Sequence, residues 1–346
     1  MRRRAGLVLL ALAVFFATLS PLLRWYAFPR LAKVPAGRYQ TVVLEAKDAT
    51  LIDYSTLEPK KVSRITMTET LKGNVEQARE VKDETGRDVV VWDTLTYVAG
   101  PDGAMVSKIP ERYVFDAHSQ EPVHAGGENV DGTPVRRDGI EFKWPFLVQK
   151  RDYRYFDMQT RASAPIHYGG TRRFHGLSVY YFEQTIPWTR VPVPRALPLG
   201  LTPDAVRQIG LERWYTTRRM FWVDPTTGAP VNGEEEHREE MRWIGHPEKK
   251  PIPAFSGDVR MRPDYVDATV ALVTSQRRLV LLLTSWLPRG FLGLGGALLG
   301  LALLLEARSR RTPSGVITTA GDQRALVPEM SHDGGKPKQP PSAGSS

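Results

Sequence analysis

The stretch FWVDPTTGAPV, residues 221–231, reads as the end of one strand, a tight turn and the start of a second strand. Its turn is set by Asp224, Pro225 and Gly228. Pro fixes φ, Gly accepts positive φ, and an Asp side chain accepts hydrogen bonds from the backbone that follows it. The stretch therefore predicts a structural hairpin within an antiparallel sheet, rather than a reactive site.

A second stretch, YVFDAHSQEPV at residues 113–123, repeats this pattern earlier in the chain. Asp116 precedes Pro122 by the same interval that separates Asp224 from Pro230, and both stretches begin with aromatic and Val residues. One interpretation is a duplication, with repeat units at residues 87–142 and 174–245. The alternative is that two unrelated hairpins obey the same turn rules.

The segments around both turns also favour strands. Residues 39–46, 62–73, 87–99 and 174–187 are rich in β-branched and aromatic residues, and several of these segments alternate apolar with polar positions. We therefore predict a mainly β (α+β) domain over residues 27–264. Its core would be a curved antiparallel sheet, or two duplicated half-barrel units, flanked by a transmembrane helix on each side.

The first flanking segment follows a basic N-terminus at residues 1–4. Residues 5–23 are 19 consecutive uncharged residues, close to the roughly 20 that a membrane-spanning helix needs. Arg24, Trp25 and Tyr26 follow as interface anchors. The alternative is a cleaved signal peptide, whose apolar core is usually shorter, about 7–15 residues, and is followed by small residues at the cleavage site.

The second flanking segment is predicted to span the membrane over residues 286–305, after a docking helix at 265–285. Pro288 would occupy the first turn of the spanning helix, with Trp286 and Arg289 as interface anchors. The run GLGGALLG places small residues at helical spacing. Such a stripe favours packing against the first span or a homo-oligomer through the helices; the alternative is that it faces lipid.

Basic residues flank both spans on the sides away from the β domain: RRR at residues 2–4, and RSRR at residues 308–311. The positive-inside rule then predicts a two-pass protein of the cell membrane with both termini in the cytoplasm and the β domain outside it. The basic tail, residues 306–346, is rich in Pro, Gly and Ser and is predicted to be disordered. The net charge of +9 is compatible with anionic lipid or wall polymer as a partner.

The sequence offers no catalytic constellation. Cysteine is absent, which excludes disulfides, thiolate catalysis and Cys-ligated metals. The run GEEEHREEM, residues 233–241, contains one His among carboxylates and is interpreted as a solvated strand rather than a metal site. We predict a non-enzymatic protein with no cofactor and no metal, and an extracytoplasmic location argues against nucleic acid as a partner.

A Pro-rich, apolar segment before residue 202 is the candidate for a lid or for part of a ligand groove. Its apolar side chains are Val191, Val193, Leu197, Leu199 and Leu201. The resulting hypothesis is a β domain that is tethered to the lipid bilayer at both ends and binds or transfers a lipid or other apolar envelope molecule. Two alternatives are a channel-forming protein and an envelope scaffold or sensor.

FWVDPTTGAPV also resembles a strand–turn–strand of the LolA/RseB-like half-barrel proteins, which implies a curved sheet that wraps an acyl chain. Over most of its length the chain resembles the actinobacterial PorA-type porin family. The matching features are RRR with the first span, FKWPFLVQKRDYRYFD at residues 142–157, FWVDPTTGAPV, and a second span with a basic tail. This resemblance implies a channel. A transmembrane β-barrel would need eight or more lipid-facing strands, whereas this pattern predicts helical spans.

Overall fold

The computed structural model describes residues 2–310 of the 346-residue chain. The predicted disordered tail therefore lies outside the described residues from position 311 onward. The six α-helices in the described part are α1 (Arg2–Pro21), α2 (Phe28–Leu31), α3 (Val75–Thr85), α4 (Pro203–Gln208), α5 (Pro263–Leu281) and α6 (Leu287–Arg310).

Between the terminal helices lie twelve β-strands that form one antiparallel sheet. The strands are β1 (Tyr39–Asp53), β2 (Glu58–Gly73), β3 (Val89–Ala99), β4 (Met105–Asp116), β5 (Asn129–Val130), β6 (Thr133–Pro134), β7 (Tyr153–Asp157), β8 (Ala162–Phe174), β9 (Leu177–Val191), β10 (Leu211–Val223), β11 (Pro230–Trp243) and β12 (Ile252–Met261). The mainly β class, the antiparallel sheet and the flanking apolar helices confirm the predicted fold class.

The sheet consists of two consecutive meanders. Its strand order is β6-β5-β4-β3-β2-β1-β12-β11-β10-β9-β8-β7, so the first and last long strands, β1 and β12, pair at the centre. Leu44 pairs with Met261 and Leu51 with Phe255 in that junction. Each meander is local in sequence, and the pairing of β1 with β12 is the non-local step that unites them.

The sheet curls until its two halves face one another across an interior. The hydroxyl of Thr96 in β3 donates a hydrogen bond, 3.8 Å long, to the sulfur of Met158, which directly follows β7. Those two strands lie far apart in the strand order, so only a strongly curved sheet brings them together. The curvature follows the right-handed twist that accumulates over many strands, and register shifts interrupt several of the strand pairs.

The segment between β6 and β7 connects the two edges of the curled sheet. Ile140 forms a parallel bridge with Tyr155 of β7. On the other side, the guanidinium of Arg137 contacts the carboxylate of Glu111 in β4 at 2.7 Å. Trp144, which is fully buried, donates its backbone N–H to the carbonyl of Gly228 at 2.9 Å. This connecting segment therefore closes the interior where strand pairing does not.

The turn in FWVDPTTGAPV is held by one carboxylate. Asp224 Oδ1 accepts hydrogen bonds from the backbone N–H of Thr226 (3.0 Å) and from the N–H and hydroxyl of Thr227 (2.7 and 3.0 Å). The N–H of Gly228, at φ +74°, donates to the Asp224 carbonyl, and the Asp224 N–H donates to the carbonyl of Ala229. Asp224 has no solvent exposure, so the turn is fixed inside the protein.

The earlier turn has the same hydrogen bonds. Asp116 Oδ1 accepts from the N–H of His118 (3.0 Å) and from the N–H and hydroxyl of Ser119 (2.9 and 3.2 Å). Gln120, at φ +60°, donates its N–H to the Asp116 carbonyl, and the Asp116 N–H donates to Glu121. The two stretches therefore fold into one kind of turn, whereas the duplication of the larger units stays a prediction.

Each of these turns ends at a proline that faces the strand before it. Pro122 bridges to Phe115, and Pro230 pairs with Val223. Pro225 lies within the second turn, where its carbonyl accepts the N–H of Val148 at 2.8 Å. The second turn is thus in contact with the connecting segment before β7.

The terminal helices are longer than the sequence predicts. Residues 4–31 and 263–308 each form a continuous helical run that is long and apolar enough to cross a membrane. The second run has 46 residues, or about 69 Å at 1.5 Å per residue, against a hydrocarbon core of about 30 Å. Its first part, α5, therefore extends along the sheet and its second part, α6, is the candidate span.

Near the predicted start of the spanning helix at residue 286, α6 begins at Leu287 without a break in the helical chain. α5 passes into α6 through a π-helical turn, Leu282–Trp286, just before Pro288. α1 passes into α2 through a similar turn, Leu22–Ala27, just before Pro29. A proline ring collides with the carbonyl four residues earlier in a regular helix. The wider π turn accommodates the helix locally without ending it.

α1 and α6 lie against each other. The Ser20 hydroxyl donates to the Pro288 carbonyl at 2.9 Å. A Cβ atom added at Gly295 would lie 3.1 Å from the carbonyl oxygen of Ala13, whereas one added at Gly296 would meet nothing within 4 Å. The glycine-rich run therefore uses one small residue for helix packing and leaves others on the outer surface of the pair.

Candidate ligand cavity

A cavity of about 670 Å³ lies between the concave face of the sheet and α5; we call it the interior cavity. Alternate side chains of a strand point to one face, and in β1, β2, β3, β10 and β12 the residues facing inward include large apolar ones. Those that line the cavity include Val42, Leu44, Leu71, Trp92, Phe221 and Met261. The wall is thus mainly apolar over most of its depth.

One wall of the cavity is a stripe of α5. Tyr265, Leu272, Gln276 and Leu279 recur at helical spacing along this wall, as expected for residues on one face of a helix. The adjacent face docks on the sheet, where Val273 packs against Val179 and Val231. α5 therefore covers the sheet with one face and lines the cavity with the next.

The mouth of the cavity lies where the terminal helices join the sheet. Leu31 at the end of α2, Tyr39 at the start of β1 and Leu279 of α5 all line the cavity. All three are also more than half exposed, with 65%, 67% and 59% of their surface accessible. The cavity therefore opens beside the two helices that can cross a membrane.

At the floor of the cavity lies a row of acidic and basic side chains, of which Arg219, Glu235 and His237 line the cavity itself. We call it the charged row: Arg213, Glu239, His237, Glu235, Arg219 and Asp157. Its members come from the inward faces of β10 and β11 and from the end of β7. Opposite charges alternate along it, as a buried ion network requires, because each desolvated charge must face a partner.

His237 is at the centre of the charged row. Its Nδ1 lies 2.7 Å from Glu235 Oε1, and its Nε2 lies 2.7 Å from Glu239 Oε1. Arg213 Nε donates to Glu239 at 2.9 Å, and Arg219 Nη2 lies 3.5 Å from Glu235. Because both ring nitrogens face carboxylates, the imidazole is protonated and donates from both.

The pKa values of the charged row follow from these contacts. Burial opposes the charged form of His237, but the hydrogen bonds to Glu235 and Glu239 outweigh it and raise the pKa of His237 to about 9. Burial likewise opposes ionisation of Glu235, but Arg219 and His237 lower the pKa of Glu235 to about 2. His237 and Glu235 are therefore both ionised at neutral pH.

We expect the free energy of unfolding to fall by about 3 kcal/mol between pH 6.5 and pH 9 through His237 alone. Its folded pKa lies above its unfolded value, so its contribution is complete below about pH 6.5 and is lost as the pH rises through about 9. Denaturant unfolding of the detergent-solubilised protein across this range measures the slope.

The variant His237→Gln should lose the part of this pH dependence that His237 contributes, so its slope should differ from the wild type by about that amount, while His246→Gln, at an exposed histidine, should keep the wild-type slope. Equal slopes in all three proteins would show that His237 is neutral in the folded state.

Glu69 of β2 also lines the cavity. Burial, reinforced by the charge of Glu111, raises the pKa of Glu69 to about 8. Glu69 is therefore a neutral carboxylic acid at neutral pH, and it offers an O–H donor and a carbonyl acceptor to the cavity.

A second space of about 30 Å³ lies on the far side of the charged row. It borders Arg213, Glu239 and His237 from the other face and is otherwise lined by residues such as Pro194 and Leu197. Its volume is close to that of a single water molecule. The charged row therefore separates the interior cavity from the end of the sheet that lies away from the terminal helices.

The five candidate lid residues lie at that distant end. Val193, Leu197 and Leu201 belong to an apolar cluster with Ile52 and Met241, and Val191 packs against Ile186 and Tyr215. Leu199 is 74% exposed, in a single 3₁₀ turn. None of the five lines the interior cavity. The structure therefore places this segment away from the interior cavity, and its role as a lid stays a prediction.

The predicted membrane anchors lie together near the two π-helical turns. Arg24, Trp25 and Tyr26 belong to the first turn and Trp286 to the second, while Arg289 follows in the first turn of α6. Trp25, Tyr26 and Trp286 are all more than half exposed. The five anchors therefore lie at a similar height along the two terminal helical runs. Their role at the membrane interface stays a prediction.

Comparison with known proteins places the whole arrangement in one family. The model of the family "Porin PorA" matches residues 5–304, which include both apolar helices and the complete sheet. The chain belongs to the PorA family. This confirms the resemblance drawn from the sequence, and the family together with the two apolar helices indicates a membrane protein.

Two relatives carry the same name as the family. A Porin PorA of Corynebacterium amycolatum is 23% identical over 304 residues, covering 68% of this chain and 77% of the relative. A Porin PorA of Corynebacterium resistens is 24% identical over 193 residues, covering 38% of this chain and 46% of the relative. The similarity to the first therefore extends over most of both chains.

Sequence reasoning missed the charged row of this PorA family chain. GEEEHREEM was interpreted as a solvated strand, but Glu235, His237 and Glu239 face the interior, and His237 is only 2% exposed. The shared face of these three residues was visible in the alternation of the strand. Their burial was not, because it depends on β10 placing Arg213 and Arg219 opposite them. Among residues 2–310, no group of His, Asp and Glu has the arrangement of a metal site.

Proposed function

We propose that the sheet domain lies outside the cytoplasm and binds an amphipathic molecule, a lipid, in the interior cavity. The observation that carries this proposal is the mouth of the cavity, which opens beside the two membrane-crossing helices. A lipid that leaves the bilayer along α5 meets an apolar path from Leu279 to Tyr265. The basic residues beyond both spans support the outward orientation.

The dimensions of the cavity support the same proposal. Small-molecule sites occupy about 300–1,000 Å³ and combine apolar walls with a few polar groups. The interior cavity, at about 670 Å³, has such walls, and polar groups are present at its floor. A bound apolar chain would gain dispersion contacts with these walls.

A cavity-filling substitution tests the proposal. Ala268 is an exposed residue of α5 that lines the cavity, and Ala271, one turn on, is also exposed but does not line it. We expect Ala268→Trp to weaken binding of a fluorescent fatty acid at least about tenfold, because the indole occupies the space of the chain. Ala271→Trp should bind like the wild type.

Native mass spectrometry of the same proteins shows whether lipid is retained after purification. Wild-type protein that neither retains nor takes up lipid would contradict the proposal. So would equal binding by the two Trp variants.

Channel formation is the second candidate, and the comparisons favour it over lipid binding because both relatives are named as porins. Two helices do not enclose an aqueous path, so a channel of this architecture would require several copies with their spans assembled. Planar-bilayer recordings with purified protein test this candidate. Discrete conductance steps would support a channel. If Ala268→Trp leaves these steps unchanged, the ions do not pass through the interior cavity.

A further inference from the structure

Two cations line the interior cavity without a carboxylate partner. The guanidinium of Arg38 donates from Nε and Nη2 to the amide oxygen of Gln40, at 3.1 and 2.9 Å. Lys143 Nζ donates to the Trp144 carbonyl at 2.8 Å and to the amide oxygen of Gln120 at 3.4 Å. In the part of the chain that the structure describes, neither cation has an acidic group within 4.0 Å.

The buried arginines of this interior are paired with carboxylates, whereas Arg38 and Lys143 are partly buried and have no such partner. Arg219 contacts Asp157 at 2.6 Å, and Arg137 contacts Glu111 and Glu141 at 2.7 and 2.8 Å. Unpaired charge is costly wherever water is scarce. The positive charge of Arg38 and Lys143 is therefore an exception that the fold itself does not explain.

The two cations also act on each other. Burial is the main cause that lowers the pKa of Lys143 to about 7, and the charge of Arg38 contributes to the same shift. The ammonium is additionally held 4.1 Å from the centre of the Phe146 ring, which also lines the cavity. A negative group placed between the two cations would relieve their repulsion and restore the charged form of Lys143.

We propose that Arg38 and Lys143 bind an oxyanion carried by the apolar chain that occupies the interior cavity. The proposal rests on the proposed function and specifies its ligand class as an acidic amphiphile. A guanidinium binds carboxylate or phosphate oxygens through two parallel hydrogen bonds, and an ammonium adds a point charge. A fatty acid and a phospholipid share this chemistry.

The charge distribution decides which end of the cavity holds the anion. Arg219 at the floor already contacts Asp157 and Glu235, and Glu69 stands beside them. Another anion there would meet carboxylates. Arg38 instead precedes β1, next to the exposed Tyr39 at the mouth. The acidic head therefore lies near the mouth, and the chain extends inward along Leu44 and Phe221.

Three probes with the same chain and different heads test the proposal: dodecanoate, dodecyl phosphate and dodecanol. The wild-type protein should bind at least one of the acidic probes about tenfold or more tightly than dodecanol, because hydrogen bonds to charged groups are the strong ones. Preference for dodecanoate indicates a fatty acid, and preference for dodecyl phosphate indicates a phospholipid.

The double variant Arg38→Gln/Lys143→Gln should bind the acidic probes no more tightly than dodecanol. Its unchanged affinity for dodecanol would show that the cavity is intact. The control Lys61→Gln/Arg64→Gln removes the same charge from two exposed positions of β2 and should behave like the wild type. Equal wild-type affinities for all three probes would overturn this inference and leave the proposed function standing, whereas binding of none would overturn both.

Discussion

Gly228→Ala should destabilise the sheet domain by about 3–5 kcal/mol, enough to abolish folding of a marginally stable domain. An added Cβ would lie 2.2 Å from the carbonyl oxygen of Trp144 and 2.3 Å from that of Pro145. Both neighbours are backbone atoms that cannot rotate away. The substitution would also strain the backbone at φ +74° and displace Trp144, whose N–H donates to the Gly228 carbonyl.

Gly245→Ala separates the backbone strain from the collision. Gly245 has nearly the same φ, +73°, but an added Cβ would meet nothing within 4 Å. Its cost should be about 1–2 kcal/mol, the penalty of the left-handed conformation alone. Denaturant unfolding of the two variants in detergent measures the difference. Similar losses in both would contradict the close approach of Trp144 to the turn.

The same comparison explains why the two turns differ in sequence. The position of Gly228 is occupied in the first turn by Gln120, also at positive φ. There the side chain is accommodated, and its amide nitrogen donates to the carbonyls of Ala117 and His118 at 3.0 and 2.7 Å. Glycine is thus required only in the second turn, where the connecting segment lies directly over the backbone.

Much of the fold could be predicted because its determinants are local. The turn at Asp224 follows from the residues within it, the strands follow from alternation, and the two apolar helices follow from length and composition. The short helix α4 also follows from local residue types, because Thr favours the N-cap position and Pro the first helical position. In the structure, Thr202 accepts a hydrogen bond from the N–H of Ala205, and Pro203 begins the helix.

The candidate site could not be predicted because its determinants are not local. Arg38 and Lys143 meet only after β1 pairs with β12 and the sheet curls. The predicted lid segment shows the same limit: Val193 and Leu197 have the composition of a groove lining, yet they pack in a cluster outside the interior cavity. Composition identifies apolar residues, whereas the curvature of the sheet decides which space they line.

Arg137→Met should destabilise the protein by about 3–5 kcal/mol, as expected when one partner of a buried ion network is removed. The guanidinium is fully buried and contacts Glu111, Glu141 and, at 3.6 Å, Glu128. Its Nη1 also donates to the carbonyl of Arg112 at 3.0 Å. No other Arg or Lys forms an ion pair with these three carboxylates in the described part of the chain, and the imidazole of His124 contacts Glu128 at 3.0 Å.

Arg190→Met is the matched control, because Arg190 pairs with Glu212 at the surface, where its side chain is 71% exposed. An exposed pair contributes about 0–1 kcal/mol, so this variant should unfold close to the wild type. If the two substitutions cost the same, the Arg137 contacts would not be those of a buried network.

The loss in Arg137→Met should shrink as the pH falls toward 5, and this dependence identifies its cause. Burial raises the pKa of Glu111 and of Glu141 even with Arg137 present, and removing the cation raises both further. Acids with a raised folded pKa stabilise the protein below their unfolded value and lose that contribution as the pH rises. A pH-independent loss would instead indicate lost packing. Because Arg137 connects β4 to the segment before β7, a pH-dependent loss would show that ion pairing holds the two edges of the sheet together.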